Sequence, residues 1–210
     1  MKPLCILVLI SITSSLLFSQ AKIAYGVKAG ATIINPTVFT QTRYLRDMDG
    51  RVGSLLGLFL EYHEDETVSL VTELYYVHRL MDNIILKYDY NTGEIYQDLS
   101  NKVSLDYLNI SLLAKFSFSI YSQKLYGFVG PALDIEVDSA AELIEGNNYF
   151  DKNSLNTIKY AIKFGIGTEF ESMGEIFLTD FSYQFDFNRM SQRSPRITVS
   201  SFDIKIGVFL

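Results

Sequence analysis

Residues 176–188 read IFLTDFSYQFDFN, and taken two at a time they separate into two sets. Phe177, Thr179, Phe181, Tyr183, Phe185 and Phe187 share one face, and Leu178, Asp180, Ser182, Gln184, Asp186 and Asn188 share the other. A period of two is the signature of a β-strand, whose successive side chains point to opposite sides. After a short polar link, SQRSP, residues 198–210 repeat the pattern, with Phe202, Ile204, Ile206, Val208 and Leu210 opposite Ser201, Asp203, Lys205, Gly207 and Phe209. The two segments are expected to form an antiparallel hairpin. Its apolar face is aromatic and charge-free, while the other carries isolated charges, small residues and glycine. That division fits a strand with lipid on one side and a crowded polar lumen on the other.

Upstream, the same alternation predicts strands at 22–33, 53–62, 68–80, 103–120, 125–137 and 157–170. With the terminal hairpin this makes about eight, the smallest usual size for an outer-membrane barrel. Between them the connections alternate. Residues 35–51 and 138–156 read as long polar loops, and the continuation of the third strand to Tyr90, an Asn91-Thr92-Gly93 turn and the return through Ile95 and Tyr96 read as a hairpin projecting beyond the membrane; HEDET, YSQK and ESMGE read as tight turns. Short turns on the periplasmic side and long loops outside are how transmembrane barrels are arranged. Pro131 falls on the outward face of the fifth strand, where the missing N–H predicts a bulge or irregular pairing.

Composition agrees. The chain has 210 residues, enough for one domain, of which 48% are hydrophobic, and its mean hydropathy is +0.15. Past the N-terminus no apolar run approaches the ~20 residues of a membrane helix. The aromatics are 14 Tyr and 15 Phe with no Trp, suited to strands and interfacial girdles. A net charge of -6 argues against nucleic acid as a partner. The start, MKPLCILVLISITSSLLFSQA, has the layout of a secretory signal peptide, so 1–21 is expected to be removed and 22–210 to form the barrel domain. Cys5 would leave with the signal, and with it any thiol or disulfide chemistry. The fold expected is therefore all-β: a single antiparallel, up-and-down transmembrane β-barrel in the outer membrane of a Gram-negative bacterium. The alternative is a soluble periplasmic lipocalin-like barrel binding an apolar ligand, because strand periodicity alone does not say which face points inward.

Four segments carry a resemblance to a known family: YGVKAGATI from Tyr25, VTELYY from Val71, DYLNISLLAKF from Asp106 and LYGFVGPALDI from Leu125. They resemble the small outer-membrane barrel proteins grouped with PorT, a component associated with type IX secretion. Ser111 stands where that family often has proline, and Ala114 where it often has a larger aliphatic. The resemblance implies a barrel with a structural, adhesive or envelope-complex accessory role. Its partners would be outer-membrane lipid and lipopolysaccharide, the barrel-assembly machinery during insertion, and an envelope protein complex.

Two constellations stand out. Inward parity places Lys28, Glu73, Lys115, Asp180 and Lys205 in the lumen. Counting from the short turns sets Glu73 beside Lys115, and Asp180 beside Lys205 with Lys28 across the closing seam. Unpaired charge in a narrow lumen is costly, so these side chains are expected to pair and plug the barrel; the functional alternative is a gated ion path. The second is a basic rim, Arg43, Arg46 and Arg51 in the first loop near Arg189, Arg193 and Arg196 in the last, able to bind anionic sugars or phosphates or simply to be solvated. Tyr88, Tyr90 and Tyr96 on the second loop, and Tyr149 and Phe150 on the third, offer either partner contacts or cross-strand pairs. Catalysis is not expected, because neither His63 nor His78 has a serine motif beside it in the chain. No metal or cofactor is expected either.

Overall fold

The computed structural model describes the backbone of residues 22–39, 45–65, 67–88, 95–120, 123–142, 157–187 and 196–210; side chains are described over 23–35, 50–65, 67–82, 103–120, 123–139, 157–187 and 199–210. Eight strands run β1 (Lys22–Phe39), β2 (Leu45–His63), β3 (Val68–Tyr88), β4 (Ile95–Ile120), β5 (Gln123–Glu142), β6 (Ile158–Ser172), β7 (Glu175–Asp186) and β8 (Arg196–Phe209). Each pairs antiparallel with the next, and β1 pairs with β8 to close the cylinder. Residues 1–21, the expected signal segment, lie outside the described residues.

Closure removes the sheet edges, so each strand has a pairing neighbour on both sides, the condition a bilayer imposes, and the ladders break only locally. Side chains then sort by parity. On β7, Leu178, Asp180, Ser182, Gln184 and Asp186 are buried, while Phe181 and Phe185, and Phe187 just past the strand end, are exposed. The rest of the wall follows: Leu56, Tyr160, Ile166 and Ile206 are 63%, 59%, 67% and 61% exposed, and buried charges face the interior. A soluble barrel turns its apolar face inward, and a continuous greasy outer surface of this kind belongs to a lipid-facing wall. The competing lipocalin-like reading is thus inverted by the observed faces.

The strands run further than the alternation suggested. β1 continues to Phe39 and β2 starts at Leu45, so much of the expected loop 35–51 is paired strand; β5 likewise reaches Glu142. Outside the bilayer both faces meet water, and the two-face contrast that marks a strand in sequence fades. The β3–β4 ladder persists from Val68↔Phe116 to Tyr88↔Ile95, and β4 is 26 residues long. Only ~9–11 residues are needed to cross, so this hairpin projects well beyond the membrane. By contrast β7 has 12 residues and β8 has 14. At Pro131 the β4–β5 ladder skips two positions, between Ser111↔Ala132 and Ala114↔Val129, and resumes without a shift. The missing N–H interrupts the pairing but inserts no residue; the β4–β5 irregularity that does change register lies at Asp106/Tyr107.

Candidate functional site

The lumen is the best-defined polar site among the described residues, and it is layered. In the middle layer the Lys28 ammonium of β1 donates to Glu73 Oε1 at 2.9 Å and to Asp180 Oδ2 at 2.7 Å. Glu73, on β3, also accepts from Lys163 at 3.1 Å and from the Tyr75 hydroxyl at 3.0 Å. Lys205 sits 3.7 Å from Glu73 and 3.6 Å from Asp180. The second oxygen of Asp180 takes the Tyr126 hydroxyl. Three ammonium groups thus share two carboxylates in a buried interior, and the rings of Tyr75 and Phe128 supply further π-face stabilisation to Lys205.

Towards the short turns, Lys115 lies between Glu61, at 2.8 Å, and Glu169, with the Tyr126 ring 4.2 Å from its ammonium. Ser69 donates to Glu61 at 2.5 Å. A cavity of about 10 Å³ separates this layer from the middle one, room for one water at most. Phe59, Val71, Leu113, Phe128 and Leu178 pack between the charges here, and Phe209 closes against Phe59 with centroids 5.0 Å apart.

Towards the long loops, Asp134 accepts from Arg79 at 2.8 Å, from Gln184 at 2.8 Å and from Asn109. Thr32 donates to Asp203 at 2.7 Å. Lys159 makes no hydrogen bond; its ammonium lies 3.9 Å from the Tyr107 ring centroid. Leu55, Val77, Met81, Val103, Leu105 and Val199 then form an apolar layer above. Among the described residues the fully buried cations are Lys28, Arg79, Lys115, Lys159, Lys163 and Lys205, and the fully buried anions are Glu61, Glu73, Asp134, Asp180, Asp186 and Asp203. Six face six among these buried groups, and Glu169, partly buried beside Lys115, adds one further carboxylate at the short-turn end.

All five lumen residues expected from the sequence are buried inside, and Lys28, Glu73, Asp180 and Lys205 form one cluster. Lys115 does not pair with Glu73. Its register partner on β3 is Ser69, whereas Glu73 faces Ser111, because the stagger of neighbouring strands in a tilted barrel displaces heights counted from separate turns. Missing from the expected set were Glu61, Arg79, Asp134, Lys159, Lys163 and Glu169. Inward parity flagged several of them, but their partners lie on strands fixed only by closure.

Of the expected rim, Arg43, Arg189 and Arg193 lie outside the described residues, as do Tyr90, Tyr149 and Phe150. Arg46 and Arg196 are strand residues rather than loop residues, paired in register with Ile85 and Phe39; the second pairing brings the bases of the first and last connections together. Arg51 is also in β2, where its guanidinium binds Asp82 at 2.6 Å. Tyr88 and Tyr96 are β3 and β4 residues of the projecting hairpin.

A family model described as outer membrane protein beta-barrel domain matches residues 18–192. No curated protein matches the chain. Among solved structures, Ail of Yersinia pestis, in complex with the heparin analogue sucrose octasulfate, is similar at 13% identity and a TM-score of 0.45, covering 90% of this chain and 99% of Ail. OprG of Pseudomonas aeruginosa is similar at 12% identity and a TM-score of 0.47, covering 89% and 95%. Outer membrane protein W of Escherichia coli is similar at 14% identity and a TM-score of 0.46, covering 89% and 97%.

Proposed function

The chain belongs to the outer membrane protein beta-barrel domain family, and from that premise we propose that it is a non-conducting outer-membrane barrel serving as a structural, adhesive or envelope-complex accessory component. The observation that carries this reading is the lumen: clustered charges of both signs in three layers, sealed by apolar side chains towards the long loops and interleaved with them below. A path for ions would require breaking several buried pairs at once, at about 3–5 kcal/mol for each partner removed. The outer greasy belt supports residence in the outer membrane, with lipid and lipopolysaccharide as its surroundings and the barrel-assembly machinery as its route in. The PorT-like segments support an accessory role in type IX secretion, and the projecting β3–β4 hairpin is the element best placed to meet an envelope partner.

Single-channel recording on the purified barrel in planar bilayers tests the plug. The expectation is a silent membrane; steady, reproducible conductance steps would overturn it. Crosslinking in intact envelopes through residues on the β3–β4 projection tests the accessory role, with a discrete partner band expected.

A further inference from the structure

We propose that Ser54, His78 and Asp106 form an acyl-transfer site on the outside of the barrel, at the boundary between its apolar belt and water. On β2, β3 and β4 the outward apolar runs are interrupted after Leu56, Tyr76 and Leu108, where the next outward residues are Ser54, His78 and Asp106; on β2 an exposed Val52 follows Ser54. Pairing sets these three in one row: Ser54 is the register partner of His78, and His78 of Asp106. Along β4 the belt runs from Phe118 to Leu108; at a rise of ~3.4 Å per residue and a tilt near 40°, that is close to the ~25 Å apolar band of such barrels. The row therefore lies where ester groups of the leaflet beside the long loops would reside.

The division of labour is the one ester chemistry needs. His78 Nδ1 is bonded to Asp106 Oδ1 at 2.6 Å, and the Tyr76 hydroxyl engages the same carboxylate. Nδ1 is thereby held, and Nε2 is the nitrogen left to act as base. Directly opposed residues on neighbouring strands have Cβ atoms ~4.5–5.5 Å apart, so the Ser54 hydroxyl is within rotamer reach of the ring. A β-bulge lies beside the serine: register shifts between Arg51 and Ser54, and Val52 and Gly53 have no β3 partner. Bulges re-aim side chains, and this one lies directly beside Ser54, although Val52 and Gly53 stay in register with Ile33 and Thr32 of β1. Glycine is required there, because a Cβ on Gly53 would meet the His78 carbonyl oxygen at 2.0 Å. Below the row, Leu56, Leu58, Leu74 and Tyr76 are between 42% and 63% exposed and offer a track for an acyl chain.

The substrate class is a carboxylic ester of a membrane amphiphile. Ser54 Oγ attacks the carbonyl carbon as its proton passes to His78 Nε2. The C–O bond to the alcohol breaks, and the alcohol leaves with that proton. Water, deprotonated by His78, then cleaves the acyl-serine, releasing the fatty acid and restoring the hydroxyl. The three residues are far apart in sequence, so no local motif announces them.

The test uses the full mature chain refolded in detergent micelles, with a fluorophosphonate probe and a medium-chain p-nitrophenyl ester. Covalent labelling mapped to Ser54 is expected. Ester turnover should fall at least ~100-fold in Ser54→Ala and His78→Ala, and by a comparable factor in Asp106→Asn. Ser54 is exposed, so Ser54→Ala should retain wild-type heat-modifiable migration and report chemistry rather than folding. Wild-type protein that neither labels nor turns over ester above the micelle background would overturn the proposal, as would turnover unchanged in Ser54→Ala. Neither result bears on whether the lumen conducts.

Discussion

Replacing Glu73 by Gln keeps the shape of the side chain and deletes one charge from the centre of the lumen. The consequence falls unequally on the lysines around it. Lys28 keeps Asp180 at 2.7 Å and Lys205 keeps the same carboxylate at 3.6 Å, but Lys163 loses the one carboxylate within 4 Å of it among the described residues. Its side chain is 2% exposed, so water does not take over. Orphaning a buried charge costs about 3–5 kcal/mol, and the loss of Glu73 should sit near 4 kcal/mol. Removing the orphan should recover much of it. Lys163→Met alone leaves Glu73 with Lys28 and Lys205 and should cost about 1–2 kcal/mol, while the double variant should be more stable than Glu73→Gln, which requires a coupling of about 2–3 kcal/mol. Urea unfolding in lipid vesicles, followed by far-ultraviolet circular dichroism because the chain has no Trp, measures all three. A loss below about 1 kcal/mol for Glu73→Gln, or additive effects in the double variant, would mean a hydrated lumen and would refute the reasoning.

Two further outcomes follow from local geometry. At Gly167 an added Cβ would lie 2.4 to 2.5 Å from the Tyr126 ring and hydroxyl, which is bonded to Asp180, whereas at Gly127 the nearest atom is 3.7 Å away. Gly167→Ala should therefore cost about 1–3 kcal/mol by overpacking and Gly127→Ala within about 0.5 kcal/mol; equal midpoints in vesicle unfolding would contradict this. In the turn after β2, the exposed Asp65 carboxylate accepts the N–H groups of Val68 and Thr67, each at 2.6 Å, which holds it below the usual carboxylate range. A depressed folded value stabilises above the unfolded value of about 3.9 and is lost as pH falls through the folded one. The urea midpoint of wild type should exceed that of Asp65→Ala by a constant amount from neutral pH down to about 5, and the gap should shrink as the pH is lowered further; a gap independent of pH would contradict the assignment.

The face of every strand was legible because parity is a property of a few consecutive residues. Phe181 and Asp180 declare their sides without reference to any other strand. Heights are different: whether Lys115 meets Glu73 or Glu61 depends on the stagger accumulated around the cylinder, and no local pattern encodes it. The same gap hid the outer row. Asp106 is 28 residues from His78, and only the β2–β3 and β3–β4 registers place serine, histidine and carboxylate together. Strand ends beyond residue 33 and before residue 53 escaped for a third reason, since outside the bilayer a strand wets both faces and loses its contrast.

The middle cluster draws its members from β1, β3, β6, β7 and β8. Several of its bonds, including Lys28 to Glu73 and Lys163 to Glu73, cross between strands that are not neighbours. The bond from Lys28 to Asp180, between β1 and β7, cannot form in an open ribbon, however many hairpins have zipped. Local hairpins such as β3–β4 can pair early at little loop-closure entropy, whereas β1 meets β8 across nearly the whole chain. The ionic cluster therefore acts as a latch: it is completed only at the final joining of first and last strands, and makes that step close to all-or-none.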